Sequence, residues 1–321
     1  MGLPAFPYLT AVVGGGSVGL LYAARLADSG ISTVVVTRTR LQAEQLEREG
    51  ITVQQLDGTR LQVPVQARPI EQGLPKADLY LLTVKQTDLP ALLPALRSAP
   101  GGARFLALQN GMGHQELLAG VLPERQCFFG IHTEGARRLS ATEVAHTGTG
   151  VLRIGPWRKK AEADPLIDAF AIVAKQAGFQ VSQVEEIEPF AWRKLLANSV
   201  INPLTAIFDI PNGALLENSH TVSLMRALFE EASAVARSCG QKMEESDWQE
   251  IGIICRNTSQ NLSSMLQDIK RQRGTEVEAI NGYIVKKGKE AGIPTPLHEC
   301  LFRVVLLKTS VESEKGGDDF T

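Results

Sequence analysis

Cysteine is scarce: 321 residues carry only Cys127, Cys239, Cys255 and Cys300, widely scattered, with no C-x-x-C pair and no histidine at zinc-type spacing. That pattern offers no zinc-type ligand set, and it fits a reducing cytoplasm best. An excess of either charge is also missing. The formal net charge of -2 provides no global attraction to nucleic acid or to an anionic membrane, so anion binding is left to local sites. No apolar run is long enough to span a bilayer. The N-terminus is apolar through Leu20, but it lacks a basic leader, is interrupted by Gly14, Gly15 and Gly16, and reaches its first positive charge at Arg25. No signal peptide is expected. Met1-Gly2 opens as a myristoylation site would, yet Phe6 stands where that motif requires serine or threonine. No internal repeat is visible. A soluble cytoplasmic protein is expected, with no metal, no nucleic acid and no membrane as partner.

What is present is the material of an ordinary globular chain. With 44% hydrophobic and 21% charged residues it can bury sizeable cores, and its length suggests two domains of roughly 150 residues each. From Tyr8 to about Leu108, short β-branched runs alternate with helical stretches, the signature of a parallel sheet with crossover helices. Strands are predicted over Leu9 to Val13, Thr33 to Thr37, Leu79 to Val84 and Phe105 to Leu108. Asp57-Gly58 reads as a hairpin turn between Ile51 and Val65, inserted between sheet strands. Cys127 to Gly155 reads as strands and turns that extend the sheet, and helix returns near Asp164. After Pro189 the period becomes 3.6 and β-branched runs grow rare, so the rest reads as all-helical. The boundary falls in the acidic patch Val184 to Glu188, giving domains 1–186 and 187–321. The polar stretch Glu312 to Thr321 is expected to fray.

Gly14-Gly15-Gly16-Ser17-Val18-Gly19 places G-x-G-x-x-G after an apolar strand and at the start of the helical stretch Leu20 to Ala27. A dinucleotide needs a tight turn at Gly14, close approach of its pyrophosphate to Gly16, and close helix packing at Gly19, with Ser17 and Val18 opening the helix. The expected fold is α/β, an N-terminal Rossmann-type doubly wound sheet followed by an all-α C-terminal domain. At the end of the second strand, where an NAD site usually carries an acid, the chain reads Thr37-Arg38-Thr39-Arg40. A guanidinium there suits a 2′-phosphate, so NADPH is the expected cofactor. A solvated turn is the alternative. Lys85 and Asn110 follow two further predicted strands, where ligands sit in open parallel sheets. Asn110 could equally be a turn residue.

In the helical half, Lys194, Asn198 and Asn202 fall at four-residue steps among apolar neighbours and form one polar stripe. The asparagines could instead satisfy loop backbone, above all Asn202 before Pro203, where a helix is expected to end or kink. Ser264 with Gln267, and Thr275 with Glu278, match capping boxes, and Glu276 would be a favourable anion in a first helical turn. From spacing alone, capping is the stronger reading.

These segments together resemble those of the ketopantoate reductase (2-dehydropantoate 2-reductase) family: the glycine motif, V-K, L-x-N-G-M-G, W-R-K-L-x-x-N-x-x-x-N-P-L-T-A, P-N-G, S-S-M-x-Q-D and T-E-x-x-x-I-N-G, in order from about Leu9 to about Val304. The resemblance implies an NADP-dependent reductase converting 2-dehydropantoate to (R)-pantoate on the route to pantothenate and coenzyme A. It implies Lys194 as the catalytic lysine and Glu276 as its carboxylate partner, Asn110, Asn198, Asn202, Asn212 and Ser264 on the substrate side, and Arg38 and Lys85 near the cofactor. Ser17 departs from the alanine common in the motif. Burial would lower the ammonium pKa of Lys194 while Glu276 would oppose the lowering. A reductase of another small 2-keto acid and a non-catalytic NADPH sensor are the competing readings, and a homodimer is left open.

Overall fold

The alternation of β-branched runs and helices is realised as a parallel sheet wound in both directions from its first strand. The structure, a computed structural model, describes residues 6–159 and 163–315. Met1 and Gly2 lie outside the described residues. By contact the chain divides into two units: residues 1–109 with 114–188, and residues 110–113 with 189–321.

In the first unit, β1 (Thr10–Val13), α1 (Ser17–Asp28), β2 (Thr33–Thr37), α2 (Arg40–Glu49), β3 (Ile51–Gln54), β4 (Arg60–Val63), β5 (Gln66–Pro69), β6 (Leu79–Leu82), α3 (Leu89–Arg97), β7 (Arg104–Ala107), α4 (His114–Ala119), β8 (Cys127–His132), β9 (Gly135–Arg138), β10 (Glu143–Gly148), β11 (Val151–Gly155), α5 (Pro165–Gln176) and β12 (Gln180–Gln183) follow in order. The main sheet runs β12-β11-β8-β7-β6-β1-β2-β5. It is parallel except where β11 meets β8. Strand order reverses beside β1, which pairs with β2 on one side and β6 on the other. That is the topological switch point where open sheets of this kind hold ligands. β1 and β6 are buried along their whole length, as strands covered on both faces must be. The core between sheet and helices is built from Val12, Leu20, Leu21, Val35, Leu81, Leu106 and Phe170.

The Asp57-Gly58 turn forms as expected, with Gly58 at φ 83 and the Asp57 carboxylate accepting from Thr59 N at 2.9 Å. The segment Cys127 to Gly155 divides between two sheets. β8 and β11 extend the main sheet, whereas β9 and β10 join the hairpin in a second sheet ordered β4-β3-β10-β9.

The second unit contains α6 (Glu188–Phe208), whose first residue falls in the first unit, then α7 (Ser219–Ser238), α8 (Glu245–Asn257), α9 (Ser264–Lys270), α10 (Tyr283–Ala291) and α11 (Pro296–Lys315), with a π-helical turn at Glu278–Gly282. Beyond Pro189 the described residues include no strand. No helix of the described residues is long and apolar enough to cross a membrane. Of the stretch expected to fray, the part up to Lys315 continues α11, and residues 316–321 lie outside the described residues.

Candidate active site

The glycine turn between β1 and α1 shows three separate steric demands. Gly14 adopts φ 124, and a Cβ there would meet Thr83 Oγ1 and Val84 N at 2.9 Å, just past β6. A Cβ on Gly19 would collide with the Gly14 carbonyl oxygen, so glycine lets the helix close on the turn. A Cβ on Gly16 would meet nothing within 4 Å. Gly16 is also the N-cap of α1, with no side-chain capping bond and no acid in the first turn. An open cradle in front of uncapped helix N–H groups fits the pyrophosphate of a dinucleotide. Ser17 is occupied elsewhere, its hydroxyl accepting from Arg138 N at 2.9 Å on β9, and half-buried Val18 packs against the core. Gln42, which the sequence did not single out, braces the turn from behind: its side-chain amide donates to Gly15 O at 2.8 Å and to Ala141 O at 2.9 Å.

Arg38 lies exposed just past β2 and, among the described residues, has no hydrogen-bond or ion-pair partner. Arg40 differs, since it is paired with Glu71 at 2.6 Å. Lys85 is half-buried and opens the turn after β6, where its carbonyl accepts from Asp88 N. The carboxylate-free position and the unpaired guanidinium fit a phosphate at the ribose end of the cofactor.

In the second unit, α6 carries Lys194, Asn198 and Asn202 along one face. The helix does not end at Pro203 but continues to Phe208, so Asn202 is not a terminal residue serving loop backbone. Asn202 is only 6% exposed and Asn198 is half-buried, yet among the described residues neither side chain makes a hydrogen bond. Buried amides are normally paired within the protein, so the unpaired Asn202, with half-buried Asn198 one turn away on the same face, has hydrogen-bonding capacity to offer a ligand.

Glu276 is nearly buried, and Asn110 Nδ2 donates to its Oε2 at 3.2 Å. The segment 110–113 docks on the same turn: Met112 N donates to Ala279 O at 2.9 Å, and Gly111, at φ 76, leaves no room for a Cβ against that carbonyl. Asn110 is therefore a partner of Glu276 and not merely a turn former. Lys194 is half-buried, and loss of water around its ammonium pulls the pKa down to about 8, with the negative charge of Glu276 acting in the opposite direction.

Two capping expectations are corrected. The N-cap of α9 is Ser263, not Ser264: its hydroxyl accepts from Leu266 N at 3.1 Å and from Thr205 Oγ1 at 2.7 Å, which ties α9 to α6. Ser264 is left exposed, with no partner among the described residues. Thr275 and Glu278 form no capping box, because a π-helical turn without side-chain capping starts there. Asn212 is buried and engaged: Nδ2 donates to Thr258 Oγ1 at 2.9 Å, while its Oδ1 has no partner among the described residues. No hydrogen bond joins it to the α6 stripe. Among the described residues no group of His, Cys, Asp and Glu is placed to hold a metal ion.

A doubly wound sheet with a glycine turn at its switch point, followed by a helical unit carrying a lysine and a carboxylate, defines a two-domain dinucleotide-dependent oxidoreductase. Within that class the chain belongs to the ketopantoate reductase family: the family described as Ketopantoate reductase PanE/ApbA matches residues 10–159, and its C-terminal part matches residues 186–309. Similar proteins include the 2-dehydropantoate 2-reductases of Vibrio cholerae, 34% identical over 92% of this chain and 95% of that protein, and of Archaeoglobus fulgidus, 32% identical over the same shares. Among solved structures, a PanE/ApbA family ketopantoate reductase from Ralstonia eutropha superposes with a TM-score of 0.86 at 27% identity, covering 95% of this chain and 99% of that one. D-mandelate dehydrogenase in complex with NADH and anilino(oxo)acetate shares the fold, with a TM-score of 0.87 at 22% identity over 95% of this chain and 99% of that one.

Proposed function

We propose that the chain is an NADPH-dependent reductase of 2-dehydropantoate, producing (R)-pantoate for pantothenate and coenzyme A synthesis. The observation that carries this reading is the α6 face, where Lys194 lies in line with buried Asn202 and half-buried Asn198, whose side chains make no hydrogen bond among the described residues. Residues 1–186 serve as the NADP-binding domain and residues 187–321 as the helical substrate and catalytic domain. Gly14, Gly16, Ser17, Val18 and Gly19 form the dinucleotide turn, and Arg38 and Lys85 attract the phosphates. When bound, the dinucleotide supplies the hydride that reduces the C2 carbonyl.

Negative charge then builds on the carbonyl oxygen, and Lys194 Nζ donates the proton that neutralises it. An ammonium with its pKa near 8 stays protonated at neutral pH and is a much better donor than one at the usual value of 10.5. Glu276 keeps Lys194 charged and oriented, and Asn110 keeps Glu276 in place. Asn198, Asn202, Asn212 and Ser264 are neutral, so they bind the carboxylate and hydroxyl of the substrate without disturbing the lysine's charge. A non-catalytic NADPH sensor would have no use for an ammonium tuned in this way. Purified protein incubated with NADPH and a panel of 2-keto acids tests the reading: rapid oxidation with 2-dehydropantoate is expected, and no oxidation with any member would overturn it.

A further inference from the structure

Helix α6 passes through Pro203 without ending, although proline has no amide hydrogen to give to the carbonyl four residues earlier, that of Ser199. A donor from outside the helix replaces it. Asn281 Nδ2 donates to Ser199 O at 3.0 Å. The other proton of the same amide is directed at His298 Nδ1, also 3.0 Å away, and His298 Nε2 lies 3.0 Å from Leu228 O. A carbonyl can only accept, so Nε2 bears the proton, Nδ1 accepts from Asn281, and the imidazole is neutral. His298 and Asn281 are both completely buried, and burial pushes the imidazole pKa down to about 4. Glu231 holds the backbone at this point, its carboxylate accepting from Leu297 N and His298 N at 3.1 Å each.

Asn281 belongs to the π-helical turn Glu278–Gly282, a geometry frequent at functional sites. Ala279 N and Ile280 N, from the same turn, donate to Glu276 O at 3.0 and 3.1 Å. One short segment therefore begins with the proposed carboxylate partner and ends with an anchor on the helix that carries Lys194 and Asn198.

We propose that Asn281, backed by His298, is a positioning residue that fixes the Glu276-bearing turn on α6 at the carbonyl Pro203 leaves open, and so sets how Glu276 faces Lys194. This rests on the reading of Lys194 and Glu276 as the acid and its partner. Asn281 touches no reacting atom. Its effect passes through Glu276, the charge that acts on Lys194.

Competitive acetylation of Lys194 as a function of pH, read by mass spectrometry, tests the placement without any substrate. The wild-type midpoint is expected near 8. In Asn281→Ala the midpoint should fall by about one unit, as Glu276 loses its fixed place opposite the ammonium, and kcat should fall while KM for NADPH stays unchanged. His298→Gln can donate to Leu228 O and accept from Asn281, so it should keep the wild-type midpoint. His298→Leu can do neither and should behave like Asn281→Ala. A midpoint that stays near 8 in soluble, folded Asn281→Ala or His298→Leu overturns the proposal. Should Asn281→Ala fail to fold, the His298→Leu and His298→Gln pair decides. A shifted midpoint in a protein that reduces no 2-keto acid would sink the proposed function and leave the positioning role standing.

Discussion

Replacing Glu276 by glutamine removes the charge that opposes desolvation of Lys194 while keeping the shape of the site, because the glutamine carbonyl oxygen can still accept from Asn110. Burial and Glu276 together leave the ammonium at about 8, against an ordinary 10.5. That net lowering corresponds to roughly 3 kcal/mol in favour of the neutral amine. Without the carboxylate the same burial acts unopposed, and loss of a nearby opposite charge lowers such a pKa by a further one to three units, roughly. With Lys194 as the proposed proton donor, kcat/KM is expected to fall as pH rises through the Lys194 pKa. The alkaline limb should lie near pH 8 in wild type and at about pH 7 or below in Glu276→Gln. At pH 7.5 the protonated fraction would drop from about three quarters to about one quarter, a loss of about threefold that nearly vanishes at pH 6. Profiles of kcat/KM from pH 5.5 to 9.5 measure this. An alkaline limb at the same pH in both proteins would refute the electrostatic coupling. Loss of activity by a constant factor at every pH would assign Glu276 to orientation alone.

Other predictions concern the cofactor and the fold. Wild type should show a higher kcat/KM with NADPH than with NADH, and Arg38→Glu should reverse the ranking; an NADH preference in wild type would remove Arg38 from phosphate recognition. Gly16→Val places its side chain in open space, so the thermal midpoint should hold while NADPH affinity collapses, whereas Gly19→Ala should lower both, as titration and melting would reveal. His298 binds protons less readily in the folded chain than in the unfolded one, so its contribution to stability is complete above pH 6.5 and fades as pH falls toward 4. Urea unfolding should show about 2 to 3 kcal/mol of pH-dependent loss between pH 7 and pH 4.5, absent in His298→Gln.

Local signals carried much of this molecule. The glycine turn, the acid-free end of β2 and the four-residue polar stripe of α6 each depend on neighbours within a few positions, and all are readable from spacing. Long-range pairing was hidden. Nothing near Glu143 indicates that β10 will leave the main sheet for the hairpin at β3, since that pairing joins segments about 90 residues apart. Pro203 looked like a helix stop because the donor that rescues Ser199 O arrives from Asn281, far along the chain. Ser263 and Ser264 are adjacent and alike in type, and only geometry shows that the first caps α9 and leaves the second uncommitted.

In the proposed reaction the Asn198 and Asn202 amides, which make no hydrogen bond among the described residues, face the hydroxyl-bearing end of the keto acid. The ratio of kcat/KM for 2-dehydropantoate to that for the same 2-keto acid lacking the terminal hydroxyl, in wild type and in Asn202→Ala, measures this. A site built to bond that hydroxyl leaves its own partners unsatisfied when it is missing, at a cost of about 1 to 3 kcal/mol for each group. The ratio should therefore be about 5 to 150 in wild type and should shrink in Asn202→Ala. Equal rates for both substrates in wild type would contradict the account.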